Sequence, residues 1–556
     1  RHPPPHRYAA HARQRRRRPG PQPLLDYCQG NPLTLRVLVG QAIRAGLRSR
    51  EPIAAFVAAI RSGEQAIEDA DADQGRDRSM GASLDYGFRN AFEDDELPVI
   101  ALLHLFQGTV FVQVLRAMGQ LDEHALPEVQ GKTDADISAL LHRAAEVGLL
   151  TPLTDHASRI TGYYTIHPAL PGYLRLVFAR HYNGEQGRST AAGSPTAAGG
   201  STAADALRAW VEALGALGDY YHRQFNEGNR NVIPYLALEE ANLLHARRIA
   251  RRHGWWRRVT SAMQGLQMLY QYQGRLAEWS RLVAEIAPDY CTPEGDPVPG
   301  REDDYSLVMG YRVDLARTYD RDLPRAVALQ EKRVAWDRRQ AAPALALSPE
   351  TALDAEQRNS IRTLGVSVFT LGQILMEQGR PDCVAAYQET IQHDQRIQDT
   401  AAEAISHYNL GHAYMQIPAL GDLDAAEAAY RRSLDLFDAK DALGRARCIK
   451  QIGMVHHARF DEARQRGAPG ETLVQHAQAA ERHYREALAL CPPTARADLG
   501  PLHHQLGKLY ADVGQTEAAR EHFEKAAQLF EQTGNHYHAG IVREGLAITY
   551  LRAADR

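Results

Sequence analysis

The sequence predicts a mainly α fold, in which a helical block with one small β element precedes a long superhelical array of paired helices. Three observations predict it. Amphipathic runs at helical spacing fill the chain from Ala206 onward. A stretch rich in Gly, Ser, Thr and Ala over residues 184–205 separates the array from what comes before. A glycine-anchored segment then recurs through the last 200 residues.

Composition narrows the functional classes. The 556 residues are 44% hydrophobic and 24% charged, which suits a soluble globular protein with several domains. The net charge of -4 produces no strong field, so neither nucleic acid nor an acidic membrane is an expected partner. No apolar run approaches the ~18 residues a membrane span needs. Cys28, Cys291, Cys383, Cys448 and Cys491 are widely separated and form no C-x-x-C pair, so they read as buried thiols in a reducing compartment. With no signal peptide in sight, a cytoplasmic location is expected.

In chain order, residues 1–23 are rich in Pro and Arg and read as a disordered lead-in. Residues 24–80 form a first helical piece. Asn31 before Pro32 is an N-cap followed by Pro at the first helical position, and Leu35, Leu38, Val39 and Ala42 continue at helical spacing. A charged connection over residues 62–80 closes that piece. In the block from 81 to 183, the runs SLDYGFRNAF, DELPVIALLHLF, VFVQVLRAM and DISALLHRAAEVG read as helices. Two short strands, 149–153 and 163–166, then flank a polar turn, as in a winged-helix domain with its β-wing.

Beyond the 184–205 linker, residues 206–350 read as degenerate helical repeats and residues 351–556 as regular ones. The clearest unit sets Leu506-Gly507, Tyr510, Gly514, Ala519, Phe523 and Ala526 in the large–small order of a tetratricopeptide repeat. Small residues let two antiparallel helices approach, and the aromatic rings fill the space between pairs. The skeleton also appears at Gly372 with Tyr387, at Gly411 with Tyr414, Ala426 and Tyr430, and at Gly453 with Ala480, Tyr484 and Ala487. Successive anchor glycines lie 39, 42 and 54 residues apart, and Ala547 marks a final half-repeat. Such spacings imply longer helices or loop insertions, the largest being RFDEARQRGAPGETLVQHAQ, and insertions gather at one edge of an array where they contribute to binding faces.

Few residues suggest chemistry. Gly131-Lys132-Thr133 lacks the preceding strand and the first glycine of a phosphate loop, and reads as a surface turn. Within the recognition-type helix DISALLHRAAEVG only His142 and Arg143 could reach DNA, too few for a nucleic-acid face. The pairs His456-His457, His503-His504 and His536/His538 lack acidic or Cys partners at matching spacing, so no metal site is expected. The acidic run Glu93 to Glu96 reads as favourable charge at a helix start, and Trp255, Trp256 and Trp279 as packing anchors. No nucleophile–base arrangement is recognisable, so no catalytic residue is assigned.

Residues 30–36, GNPLTLR, resemble the GLPL element of NB-ARC ATPases in the STAND signalling family, and YYTIHPAL resembles the end of that family's winged helix. The phrases LEEANLLHARRIARRHGWW and GRLAEWSRLV, followed by tetratricopeptides, are similar to bacterial STAND proteins, some of which carry a caspase-like CHAT domain. The resemblance implies that Pro32 packs on adenine and His167 senses the β-phosphate, but only where a complete NTPase core supplies the Walker loop. That loop does not occur in this sequence, and the Arg start suggests a fragment or an unusual beginning. The implied role is a regulatory and sensor segment that takes a protein or peptide on its helical groove. It is expected to hold no cofactor itself, with ADP or ATP belonging to a longer parent, and to oligomerise only through the missing core. The alternative is a free-standing tetratricopeptide adaptor with a vestigial winged helix.

Overall fold

The computed structural model describes residues 22–28, 46–64, 91–155, 160–167, 170–183 and 201–554, together with Leu35, Leu38, Val39, Ala42 and Ile43. Pro32, most of the GLPL-like run, the SLDYGF run and residues 184–200 lie outside them. The chain forms two compact units, Arg1–Trp279 and Ser280–Arg556. Among the described residues no helix is long and apolar enough to cross a membrane.

In the first unit, α1 (Gln22–Cys28) and α2 (Arg50–Glu64) share a small core in which Leu24, Leu38, Ile53 and Phe56 are buried. A short α3 (Leu97–Ala101) tightens into a 3-10 turn over Leu102–Leu105. There follow β1 (Thr109–Phe111), α4 (Val112–Met118), α5 (Asp134–Glu146), β2 (Leu150–Asp155), β3 (Ile160–Ile166) and α6 (Pro171–Tyr182). The strands form an antiparallel sheet in the order β1-β3-β2, with Val110 opposite Tyr164 and Leu150 opposite Ile166.

This differs from the sequence reading in one element. Val110 and Phe111, expected to begin a helix, form β1 instead. A β-branched residue followed by an aromatic fits a pleated, half-buried edge, and Phe111 stacks on Tyr163 of β3 with centroids 4.2 Å apart. Helix α4 starts only after that pairing is complete.

Three long helices finish the first unit: α7 (Ala203–Asn226), α8 (Val232–His253) and α9 (Trp256–Tyr272). Thr202 caps α7 in a reciprocal pair with Asp205. The stretch expected to be a domain boundary therefore connects parts of one unit. Ser201 at its end is held by Glu128, and Trp210 of α7 meets Phe106 edge-on at 5.9 Å. The next helix, α10 (Leu276–Tyr290), crosses the division between the units.

The second unit continues with α11 (Glu302–Thr318), α12 (Leu323–Leu345), α13 (Ala355–Glu377), α14 (Cys383–Ile397), α15 (Thr400–Gln416) and α16 (Leu423–Leu436). It ends with α17 (Ala442–Gln465), α18 (Gly470–Leu490), α19 (Arg496–Asp512), α20 (Thr516–Gln532) and α21 (His536–Ala554). Aspartates fix many of the starts: Asp322, Asp354, Asp399, Asp422 and Asp441 each accept an N–H from the residue three further on. Consecutive helices pack as a solenoid of antiparallel pairs.

Within each regular pair a glycine of the first helix faces an aromatic ring of the second. A Cβ added to Gly372 would lie 2.9 Å from Tyr387, and one added to Gly411, Gly453 or Gly507 would lie 2.7 Å from Tyr430, Tyr484 or Phe523. Those rings are almost fully buried, as are Ala487, Ala519 and Ala526. The earlier pair α11–α12 departs from this scheme. Gly310 faces the Arg333 guanidinium, which donates to Ser306 Oγ, and that hydroxyl donates to Asp337. Buried polar bonding here replaces the ring, which is why this repeat reads as degenerate.

Candidate interaction site

The sequence-singled residues of the sheet block serve local structure. Thr133 of the Gly-Lys-Thr string caps α5 in a reciprocal pair with Asp136, and Gly131 takes φ +78° to turn the chain before it. Arg143 pairs with Glu96, while His142 lies 3.9 Å from Glu146 on its own helix. His167 follows β3, where its N–H donates to Leu149 O and its carbonyl accepts from Leu170 N. Pro32 lies outside the described residues, so the two positions assigned to a nucleotide are not brought together here.

The phrases LEEANLLHARRI and GRLAEW acquire a joint role in the first unit. Asn242 of α8 accepts from Gln107 N–H at 2.7 Å and donates to Thr109 O at 3.0 Å and to Glu239 at 2.8 Å. Thr109 in turn donates to Leu238 O. This network fastens α8 to β1, and burial pushes the Glu239 carboxyl up to about 7. Glu240, one residue on, takes both ends of the Arg275 guanidinium at 2.9 and 2.8 Å. Arg275 also bonds Glu278 and lies 4.4 Å over the Tyr270 ring.

In the second unit the extra residues take the first of the two forms the spacing allows, longer helices and not a loop. Residues 459–465 extend α17 and residues 470–478 begin α18, leaving a short turn between them. Helix α17 has 24 residues against 17 in both α15 and α19, so the hairpin tip projects about 10 Å past its neighbours at 1.5 Å per residue. A step of this kind opens a notch on each side.

One notch, about 630 Å³, lies between the hairpin and the α15–α16 turn and is polar. Arg459 reaches from it to Asp424 at 2.5 Å and to Glu427, while Arg466 pairs with Glu462. The other, about 440 Å³, faces the α19–α20 turn and is floored by Phe460, Leu473, Ala477, Leu509 and Tyr510. Val474 and Val513 at its edge are 53% and 37% exposed. Tyr510 donates to Glu481 at 2.8 Å and accepts from Arg485. The repeat tyrosine therefore also walls the notch.

Histidines cluster around the same hairpin. His456 stacks on His483 with centroids 5.1 Å apart, and burial, with smaller effects from Glu427 and the neighbouring cations, leaves it at about 4. The expectation that these histidines lack acidic partners is corrected for His456, which lies 3.7 Å from Glu427, and for His457, which lies 3.1 Å from Asp512 and near Asp461. One turn of helix puts 457 and 461 on the same side, which counting adjacent pairs missed. The Arg464 guanidinium bridges Asp461 at 2.7 Å and Asp512 at 3.4 Å, so that acidic pair already faces a cation. His503 bonds His522, not its neighbour His504. Cys291, Cys383, Cys448 and Cys491 are buried free thiols.

Comparison with known proteins locates the repeats. Residues 404–438 and 498–556 each match the tetratricopeptide repeat family. No curated protein sequence matches the chain. Among solved structures, a STAND protein with a tetratricopeptide repeat sensor from Pyrococcus horikoshii is 9% identical, with 94% of this chain and 72% of that chain covered and a TM-score of 0.38. BtubC from P. vanneervenii is 17% identical over 46% of this chain and 92% of its own, with a TM-score of 0.34. A circular tandem repeat protein is 14% identical over 63% and 85%, with a TM-score of 0.19. The second unit thus carries tetratricopeptide repeats at α15–α16 and at α19–α21.

Proposed function

We propose that this chain is the regulatory and sensor segment of a STAND-type signalling protein and takes a protein or peptide partner on its repeat array. The observation that carries the reading is the projecting α17–α18 hairpin with a polar notch on one side and an apolar notch on the other. Repeat stacks of this kind bind through shape and side-chain complementarity, and an exposed apolar edge beside polar groups suits a partner chain. The winged-helix part is supported by the order helix, strand, helix, helix, strand, strand. The pairing of Arg143 with Glu96 argues against DNA as a partner. Catalysis is assigned to no residue. Pro32 and His167 contact nucleotide only in a parent that contributes the Walker elements.

The test is capture of a partner by the intact chain and by a Val474→Glu/Val513→Glu variant, whose exposed positions leave the fold in place. Loss of the partner with unchanged circular dichroism is the expected result, and capture at equal yield refutes the notch as its site. ATP turnover by this chain that disappears in His167→Ala would overturn the non-enzymatic reading.

A further inference from the structure

A third cavity, about 510 Å³, lies at the start of the second unit, away from the regular repeats. Ala284, Ala287 and Pro288 from the end of α10 line it with Val298 and two guanidinium groups, Arg312 of α11 and Arg325 of α12. One wall is a braced loop. Cys291 bridges to Pro297, Thr292 N–H donates to Asp296 O at 2.8 Å, and buried Tyr305 donates to Gly295 O at 2.6 Å. Gly295 takes φ +90°, a backbone state that disfavours side chains, so the turn is specified by sequence. The cavity is a built feature.

Its charge is unbalanced. Arg317, Arg325 and Arg338 hold Glu377, Asp320 and Glu389 respectively. Arg312 is half-buried, yet meets no carboxylate among the described residues. Its guanidinium donates to Met309 Sδ at 3.4 Å and lies beside the buried Cys291 thiol. A partly desolvated cation next to apolar walls gains most from an anion that brings its own apolar surface. Because Arg325 is already engaged and the carboxyl-terminal end of α10 borders the cavity, a single negative charge fits better than a phosphate.

We propose that this cavity binds a small monocarboxylic acid with an apolar body, its carboxylate on Arg312 and its hydrocarbon against Ala284, Ala287, Pro288 and Val298. A cavity of this volume lies within the ordinary range for small-molecule sites. The site is independent of the repeat notches.

Isothermal titration of the intact chain with octanoate, 1-octanol, octylamine and acetate tests it. Octanoate is expected to bind at least about tenfold more tightly than each of the others, the size of one charge-assisted hydrogen bond. Arg312→Met should abolish the preference over octanol, Arg312→Lys should restore part of it, and Ala287→Trp should remove octanoate binding by filling the space. Thermal unfolding of each variant checks its fold. Equal binding of octanoate and octanol by the wild type, absence of octanoate binding at millimolar concentration, or an undiminished preference in folded Arg312→Met would each overturn the proposal.

Discussion

Replacing Glu239 by Gln should make the first unit more stable at pH 8 and leave it nearly unchanged at pH 5. The side chain is completely buried, Oε2 accepts from Asn242, and burial raises the carboxyl from 4.5 to about 7. Between those values the unfolded chain has released its proton while the folded chain retains it, so stability falls as pH rises. The contribution is at full value below pH 4.5 and lost once pH passes about 7. At 1.36 kcal/mol for each tenfold change, the difference is about 3 kcal/mol. Glutamine keeps an acceptor for Asn242 and never ionises, so it escapes the loss. Four of the five tryptophans, 210, 255, 256 and 279, lie in the first unit, so indole fluorescence during urea unfolding reports mainly on it. Wild-type stability should drop between pH 5 and pH 8 while Glu239→Gln stays flat. Parallel profiles for the two proteins would refute the reasoning.

Three further outcomes are expected. Gly507→Ala should destabilise the second unit by about 1–3 kcal/mol, because its Cβ would lie 2.7 Å from the buried Phe523 ring, and denaturant titration reads this directly. Arg275→Ala removes the two hydrogen bonds to Glu240 and the stacking on Tyr270 and should cost about 1–2 kcal/mol in the fluorescence transition of the first unit. Burial, aided by His522, holds His503 at about 4, so its contribution is present above pH 6.5 and lost as pH falls towards 4. His503→Phe should therefore lessen acid destabilisation of the second unit in a pH series of melting curves.

Much of the second unit was legible because its packing rule is local. A glycine, a ring about 15 to 31 residues later and a few alanines specify one pair of helices, and the same residues reappear in contact at Gly372 with Tyr387 and at Gly507 with Phe523. Strand β1 was not legible, since Val110 and Phe111 run into a helical sequence and only the free edge of β3 decides their state. The notches were half legible. Spacing exposed the extra residues between Gly453 and Gly507, but periodicity alone did not distinguish a loop from two lengthened helices. Glu239 and Asn242 stood inside a recognised phrase, yet their partners Gln107 and Thr109 are more than 120 residues away. The Arg312 cavity gave no signal, because the lack of a counter-ion is a property of three-dimensional neighbours.

The overlong hairpin has a consequence for how such a chain can change. Its added turns lie beyond the Gly453–Tyr484 contact that holds the pair together, and Arg459 and Arg464 tie them sideways to Asp424, Glu427 and Asp512 of the neighbouring pairs. Beyond them, residues 466–469 of the connecting turn carry no ion pair to a neighbouring pair among the described residues, Arg466 bonding only Glu462 of its own helix, so they can be exchanged while the foundation beneath them stays intact. The surface at that rim can drift without endangering the rest of the molecule.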